Sequence, residues 1–152
     1  SMKTINYPSW LVPIETAKKL KEIGFDKPTQ NNTSSYVLES KRHKEENKLY
    51  SPEYILKGGS YNANSTKVGL SIPTWEQVLD WFREKGYESY IKLESQSHLD
   101  EGNYYYFEIT DPNLCQLGYQ GDFYDYYVAR EALINELIEI YEDNLQSRTR
   151  GI

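Results

Sequence analysis

The chain has one cysteine, Cys115, and two histidines, His43 and His98, among 152 residues. A lone thiol excludes an internal disulfide framework and fits a reducing compartment, where a buried or half-buried cysteine is expected. So few soft or imidazole ligands, with no ligand spacing between them, offer no zinc or other transition-metal site. No apolar run approaches the roughly 20 residues of a membrane-spanning helix, and no charged-then-apolar leader opens the chain. A cytoplasmic protein with no membrane partner is therefore expected. A phosphate-binding loop is lacking as well: "KGGS" at 57–60 has neither the spacing nor the strand-to-helix setting of one. Ser1, ahead of Met2, reads as the remnant of a cleaved tag and is set aside.

Tyrosine is what the sequence has in quantity, fifteen residues of it. A tyrosine ring can be buried while its hydroxyl stays wet, so a tyrosine-rich core is compatible with a polar composition. A chain of this length can bury roughly 70% of its unfolded surface, and one domain over residues 2–146 is expected, with 147–152 as a frayed tail. Charge is unevenly spread. Residues 1–72 carry eleven Lys or Arg against seven Asp or Glu, a net +4, whereas residues 73–152 carry six against sixteen, a net −10. The asymmetry reads as two solvated faces of unlike sign on one domain; the alternative is an acidic surface that repels nucleic acid and attracts a basic partner.

Along the chain, "VPIETAKKLKEIGF" predicts a helix, with Pro13 in its first turn and Gly24 as a left-handed C-terminal cap. "DKPTQNNTSS" predicts a loop and "YVLES" a short strand. Residues 28–72 are loop-rich, with no sustained period of 2 or 3.6, so they are expected to hide short strands or to be mobile in part. The Asn-x-Ser/Thr triplets at Asn31, Asn32 and Asn64 fall there and read as polar loop.

The signal sharpens after Pro73. Thr74 and Gln77 have capping-box spacing, and Trp75, Val78, Leu79 and Phe82 form a helical stripe ended by Gly86. "YESYIKLESQS" and "YYYFEIT" alternate as the strands of a hairpin around "HLDEGN". "DPNLCQLGYQGD" predicts a loop leading to Asp125 as helix N-cap. The final helix should bury Leu133, Ile134, Leu137, Ile138 and Tyr141, with Glu131, Asn135, Glu139 and Glu142 opposite. The predicted fold is an α+β two-layer sandwich: an antiparallel hairpin or sheet packed against two or three helices.

No catalytic signature emerges. Cys115, His98 and Asp100 are the sequence-compatible nucleophile, base and orienting group, but nothing in their spacing joins them. Asp100, Glu101 and Asn103 read as a hairpin turn rather than a calcium loop. No catalytic residue, metal or cofactor is assigned. Two sets of residues remain as binding candidates. Trp81 lies about 110° round from the centre of its helix stripe, at the edge of the buried face or outside it. The alternative for Trp81 is packing beneath a loop such as 41–72. Tyr90, Lys92, Tyr104 and Tyr106 share the non-core face of the hairpin, where aromatics could stack bases. Glu94 and Glu108 share that face too, which disfavours nucleic acid.

The segments "IETAKKLKEIGFDKP", "PTWEQVLDWFREK" and "DYYVAREALINELIEIY", in that order, resemble small uncharacterised proteins of phages, prophages and gut Bacteroidetes. The resemblance implies a bacterial or viral accessory protein and brings no catalytic residues. The expected function is non-enzymatic: a factor that binds a protein partner or self-associates. A small-molecule-binding domain or enzyme with a tyrosine-lined pocket is the alternative.

Overall fold

A computed structural model describes residues 7–42, 55–95 and 102–150. The architecture is α+β, with two antiparallel three-stranded sheets. The element order is α1 (Ile14–Glu22), β1 (Thr29–Ser34), α2 (Ser35–Arg42), β2 (Leu56–Tyr61), a 3₁₀ turn (Ala63–Ser65), β3 (Gly69–Ile72), α3 (Trp75–Glu84), β4 (Glu88–Ser95), β5 (Asn103–Thr110), β6 (Gln116–Phe123) and α4 (Tyr126–Arg150). Where the sequence carries one domain over 2–146, the chain groups into two compact units, Ser1–Val78 and Leu79–Ile152, divided within α3.

In the first unit β1 is the central strand, antiparallel to β2 on one side and β3 on the other. α1 packs against β3, and Ile14, Ala17 and Leu20 are fully buried. The helix ends as its sequence predicts. Gly24 has φ +98, the Phe25 amide donates to the Leu20 carbonyl at 2.9 Å, and the Gly24 amide donates to Lys21 at 3.1 Å. That pair of bonds is a Schellman cap. The Lys21 ammonium donates to the carbonyls of Thr66, Lys67 and Gly69, fastening the approach to β3. Asn64 is spent on the same loop: its side-chain amide donates to Phe25 and its oxygen accepts from the Ser71 amide, both at 2.9 Å.

Two local expectations reverse here. "TQNNTS" is a strand rather than loop, and the segment read as a strand begins α2. Thr29, Asn31, Asn32 and Thr33 are buried despite their polarity. Their local composition favours a turn, but pairing on both edges supplies the backbone bonds that loop solvation would otherwise give.

In the second unit β4, β5 and β6 form a meander. The hairpin pairs in the predicted alternation, with Ile91 opposite Phe107 and Leu93 opposite Tyr105. β6 is a third strand where a loop was expected. Its turn is built by Asp111, whose carboxylate accepts from the Asn113 and Cys115 amides at 2.9 and 2.8 Å, with Leu114 at φ +64. A leucine stands where turn chemistry favours glycine or asparagine, so the local signal for a hairpin was missing. α4 packs on this sheet and buries Leu133, Ile134, Leu137 and Ile138 as predicted; each such side chain contributes about 1.5–3 kcal/mol by leaving water. The Asp125 carboxylate caps α4 by accepting from Tyr127 and Val128. The helix runs on to Arg150, through positions expected to fray.

Candidate functional site

The residues singled out from sequence have different fates. Trp81 is 2% exposed, which overturns its reading as an accessible anchor. Its ring meets Phe82 at 5.1 Å and Tyr141 at 5.2 Å, both edge-on, and Tyr87 completes the cluster. The predicted stripe assumed that one face of α3 enters one core. Instead, Trp75 and Val78 are buried in the first unit, while Trp81 and Phe82 are buried in the second and Leu79 is half-exposed. Trp75 is held by its indole N–H, which donates to the Ser9 carbonyl at 2.8 Å.

Tyr90, Lys92, Tyr104 and Tyr106 do share one face of the β4–β5 hairpin. Three rungs each set a tyrosine against a charge: Tyr90 against Glu108, Tyr106 against Lys92, and Tyr104 against Glu94. The Tyr90 hydroxyl donates to Glu108, and the Tyr104 hydroxyl donates to Glu94 at 3.2 Å. Tyr106 is buried. The hydroxyls thus lie along the sheet toward carboxylates, an arrangement that stabilises cross-strand pairs and puts negative charge where a nucleic-acid backbone would pass.

The opposite face of the same sheet offers a more open surface. Phe107 and Ile109 are fully buried on the sheet that α4 packs against, whereas residues nearer the other end of the hairpin are exposed. Leu93 is 49% exposed, and Tyr105, its cross-strand partner, is half-buried. Tyr126 stands edge-on to Tyr105 at 5.9 Å and to Tyr127 at 5.5 Å. Tyr124 and Tyr127 are 69% and 63% exposed, and Val128 is exposed beside them. The Arg130 guanidinium lies over the Tyr127 and Tyr126 rings, 5.1 and 5.9 Å from their centroids. The chain matches no family model, no curated protein and no solved structure.

Sequence reasoning missed this patch although a signal exists. Tyr126 and Tyr127 precede Leu133 and Ile134 by seven residues, so they continue the buried stripe of α4 to within about 20°. Periodicity counts them as core. It does not show where the sheet beneath them runs out.

Chemistry is thin elsewhere. Among the described residues no three His, Cys, Asp or Glu side chains converge on a point. Cys115 is exposed, against the expectation of a buried thiol, because it sits in the β5–β6 turn. His98 and Asp100 lie outside the described residues, so the Cys–His–Asp trio and most of "HLDEGN" have no structural account. Among the described residues no helix is long and apolar enough to cross a membrane.

Proposed function

We propose that the protein is a non-enzymatic interaction factor that docks a protein partner on the aromatic surface at the start of α4. The observation that carries this reading is the exposed pair Tyr126 and Tyr127 under the Arg130 guanidinium, with Tyr105 of the sheet edge-on to Tyr126 and with Tyr124 and Val128 exposed nearby in sequence. Tyrosine and arginine dominate interface hot spots because each combines a large apolar area with directional polar contacts. Rings already held edge-on, with a cation stacked across two of them, lose little freedom on binding. A second unit of net −9 around the patch favours a partner with a basic rim. The resemblance to phage, prophage and Bacteroidetes accessory proteins supports a cytoplasmic, bacterial or infected-host setting, with a host protein as partner.

The test is affinity capture with the wild-type chain, Tyr124→Ala/Tyr127→Ala, and Tyr36→Ala as an exposed control from the first unit, followed by titration of the captured protein. Truncating both tyrosines should weaken binding by at least tenfold, about 1.4 kcal/mol, with Tyr36→Ala neutral. Equal affinity for the double variant and wild type would remove this surface from the proposal. Sedimentation of the same chains reports whether the partner is a second copy.

A further inference from the structure

The first unit holds a cleft of about 160 Å³ lined by Trp10, Leu11, Gln30, Asn31, Ser60, Ile72, Thr74 and Gln77. We infer that this cleft binds a small, planar, uncharged nitrogen heterocycle or carboxamide of nucleobase type; the inference does not rest on the docking surface of α4. Four observations converge on that chemistry. The volume is close to that of a cavity that accepts one benzene ring, so the ligand is about one ring system in size. Leu11 and Ile72 are buried and give an apolar floor, while Trp10 is 53% exposed and offers an indole face for stacking. Among the described residues no Lys, Arg, His, Asp or Glu lines the cleft, so its described lining offers no charge for a phosphate or carboxylate. Asn31 is only 9% exposed and lines the cleft, with its carboxamide open to it rather than sealed in the core.

That last point is the most specific. A carboxamide open to a cleft can take up a ligand's donor and acceptor, and the groups beside it are engaged elsewhere. Thr74 and Gln77 on the rim are occupied with each other: the Gln77 amide N–H donates to the Thr74 hydroxyl and the Thr74 amide donates to the Gln77 side chain. Gln77 also donates to the Pro28 carbonyl. Asn31 itself is fixed, because its backbone sits on the central strand between Lys57 of β2 and Ile72 of β3. A held carboxamide presents a donor and an acceptor side by side, the complement of the edge that adenine or a primary carboxamide shows. Gln30 and Ser60 supply further polar contacts at the mouth.

The experiment is a titration of the full chain with adenine, nicotinamide and toluene, read by amide chemical shifts and tryptophan fluorescence. Saturable shifts centred on residues 10–11, 30–31 and 72–77 are expected with adenine or nicotinamide, and toluene should bind more weakly. Asn31→Leu should weaken heterocycle binding about tenfold, since it removes the donor–acceptor pair facing the ligand. Trp10→Ala, at an exposed position, tests the stacking wall if Asn31→Leu does not fold. Absence of saturable shifts with any heterocycle would overturn the inference. So would toluene binding as tightly as adenine, or full affinity in both variants.

Discussion

Gly24 and Gly86 close their helices with the same pair of hydrogen bonds and nearly the same φ, +98 and +95. Their surroundings differ. A Cβ on Gly24 would meet nothing within 4 Å, whereas one on Gly86 would lie 2.9 Å from Pro112 Cγ and 3.0 Å from its Cβ. Gly24→Ala therefore costs the left-handed conformation alone, about 1 kcal/mol after the gain from a stiffer unfolded chain. Gly86→Ala adds overpacking against a rigid ring and should cost about 2–4 kcal/mol. Urea unfolding of both variants checks the difference. Equal losses would mean that Pro112 moves aside freely. Single residues of this kind were readable in advance, since glycine after a helical stripe has one dominant use. Trp81 was not. Its angle on the helix is correct, but which side of α3 is buried at each end depends on elements remote in sequence.

At the level of elements, legibility followed period and capping. α1, α3, the β4–β5 hairpin and α4 each repeat an apolar pattern long enough to name their type and buried face. The Thr74–Gln77 capping box forms with bonds of 2.9 and 3.1 Å. β1, α2 and β6 were misread because their composition favours turns and their stability comes from neighbouring strands. The tyrosine ladder was legible as a face, whereas its pairing into rungs needed the register. One charge on α4 has a consequence for pH. Glu136 is half-buried, and desolvation raises its carboxyl above the ordinary value of 4.5, with Glu139 and Asp143 adding to the rise. The folded state thus binds this proton more tightly than the unfolded chain. Its destabilising effect is absent below pH 4.5 and grows to full size as pH climbs through the raised value. Glu136→Gln should then raise Tm at neutral pH, with the gain shrinking toward zero below pH 4.5. A melting series across that window decides it. A gain equal at both ends would belong to packing or helix propensity instead.

On the scale of the whole molecule, charge follows the division into units. Residues 1–78 carry eleven Lys or Arg against eight Asp or Glu, a net +3, and residues 79–152 carry six against fifteen, a net −9. Among the described residues, Arg83 bridges Asp80 at 2.6 Å and Glu88 at 3.2 Å, while Glu139 and Glu142 lie exposed on α4. Like charges at such density oppose the compact state, and the opposition is screened when the Debye length falls from about 10 Å at 0.1 M salt to about 3 Å at 1 M. Added NaCl should therefore stabilise the second unit and leave the first nearly unchanged. Hydrogen exchange resolved by peptide separates the two, because the amides of α4 and of β1 report on different units. Protection in α4 should rise with salt, and Glu139→Gln/Glu142→Gln should reproduce part of that rise at low salt. Equal gains in both units would point to a general salting effect on apolar burial, and a fall in α4 would mean that charge attraction there outweighs repulsion. The same field bears on binding. A basic partner docking at Tyr127 would relieve the repulsion that salt relieves, so its affinity should drop under the conditions where α4 becomes better protected.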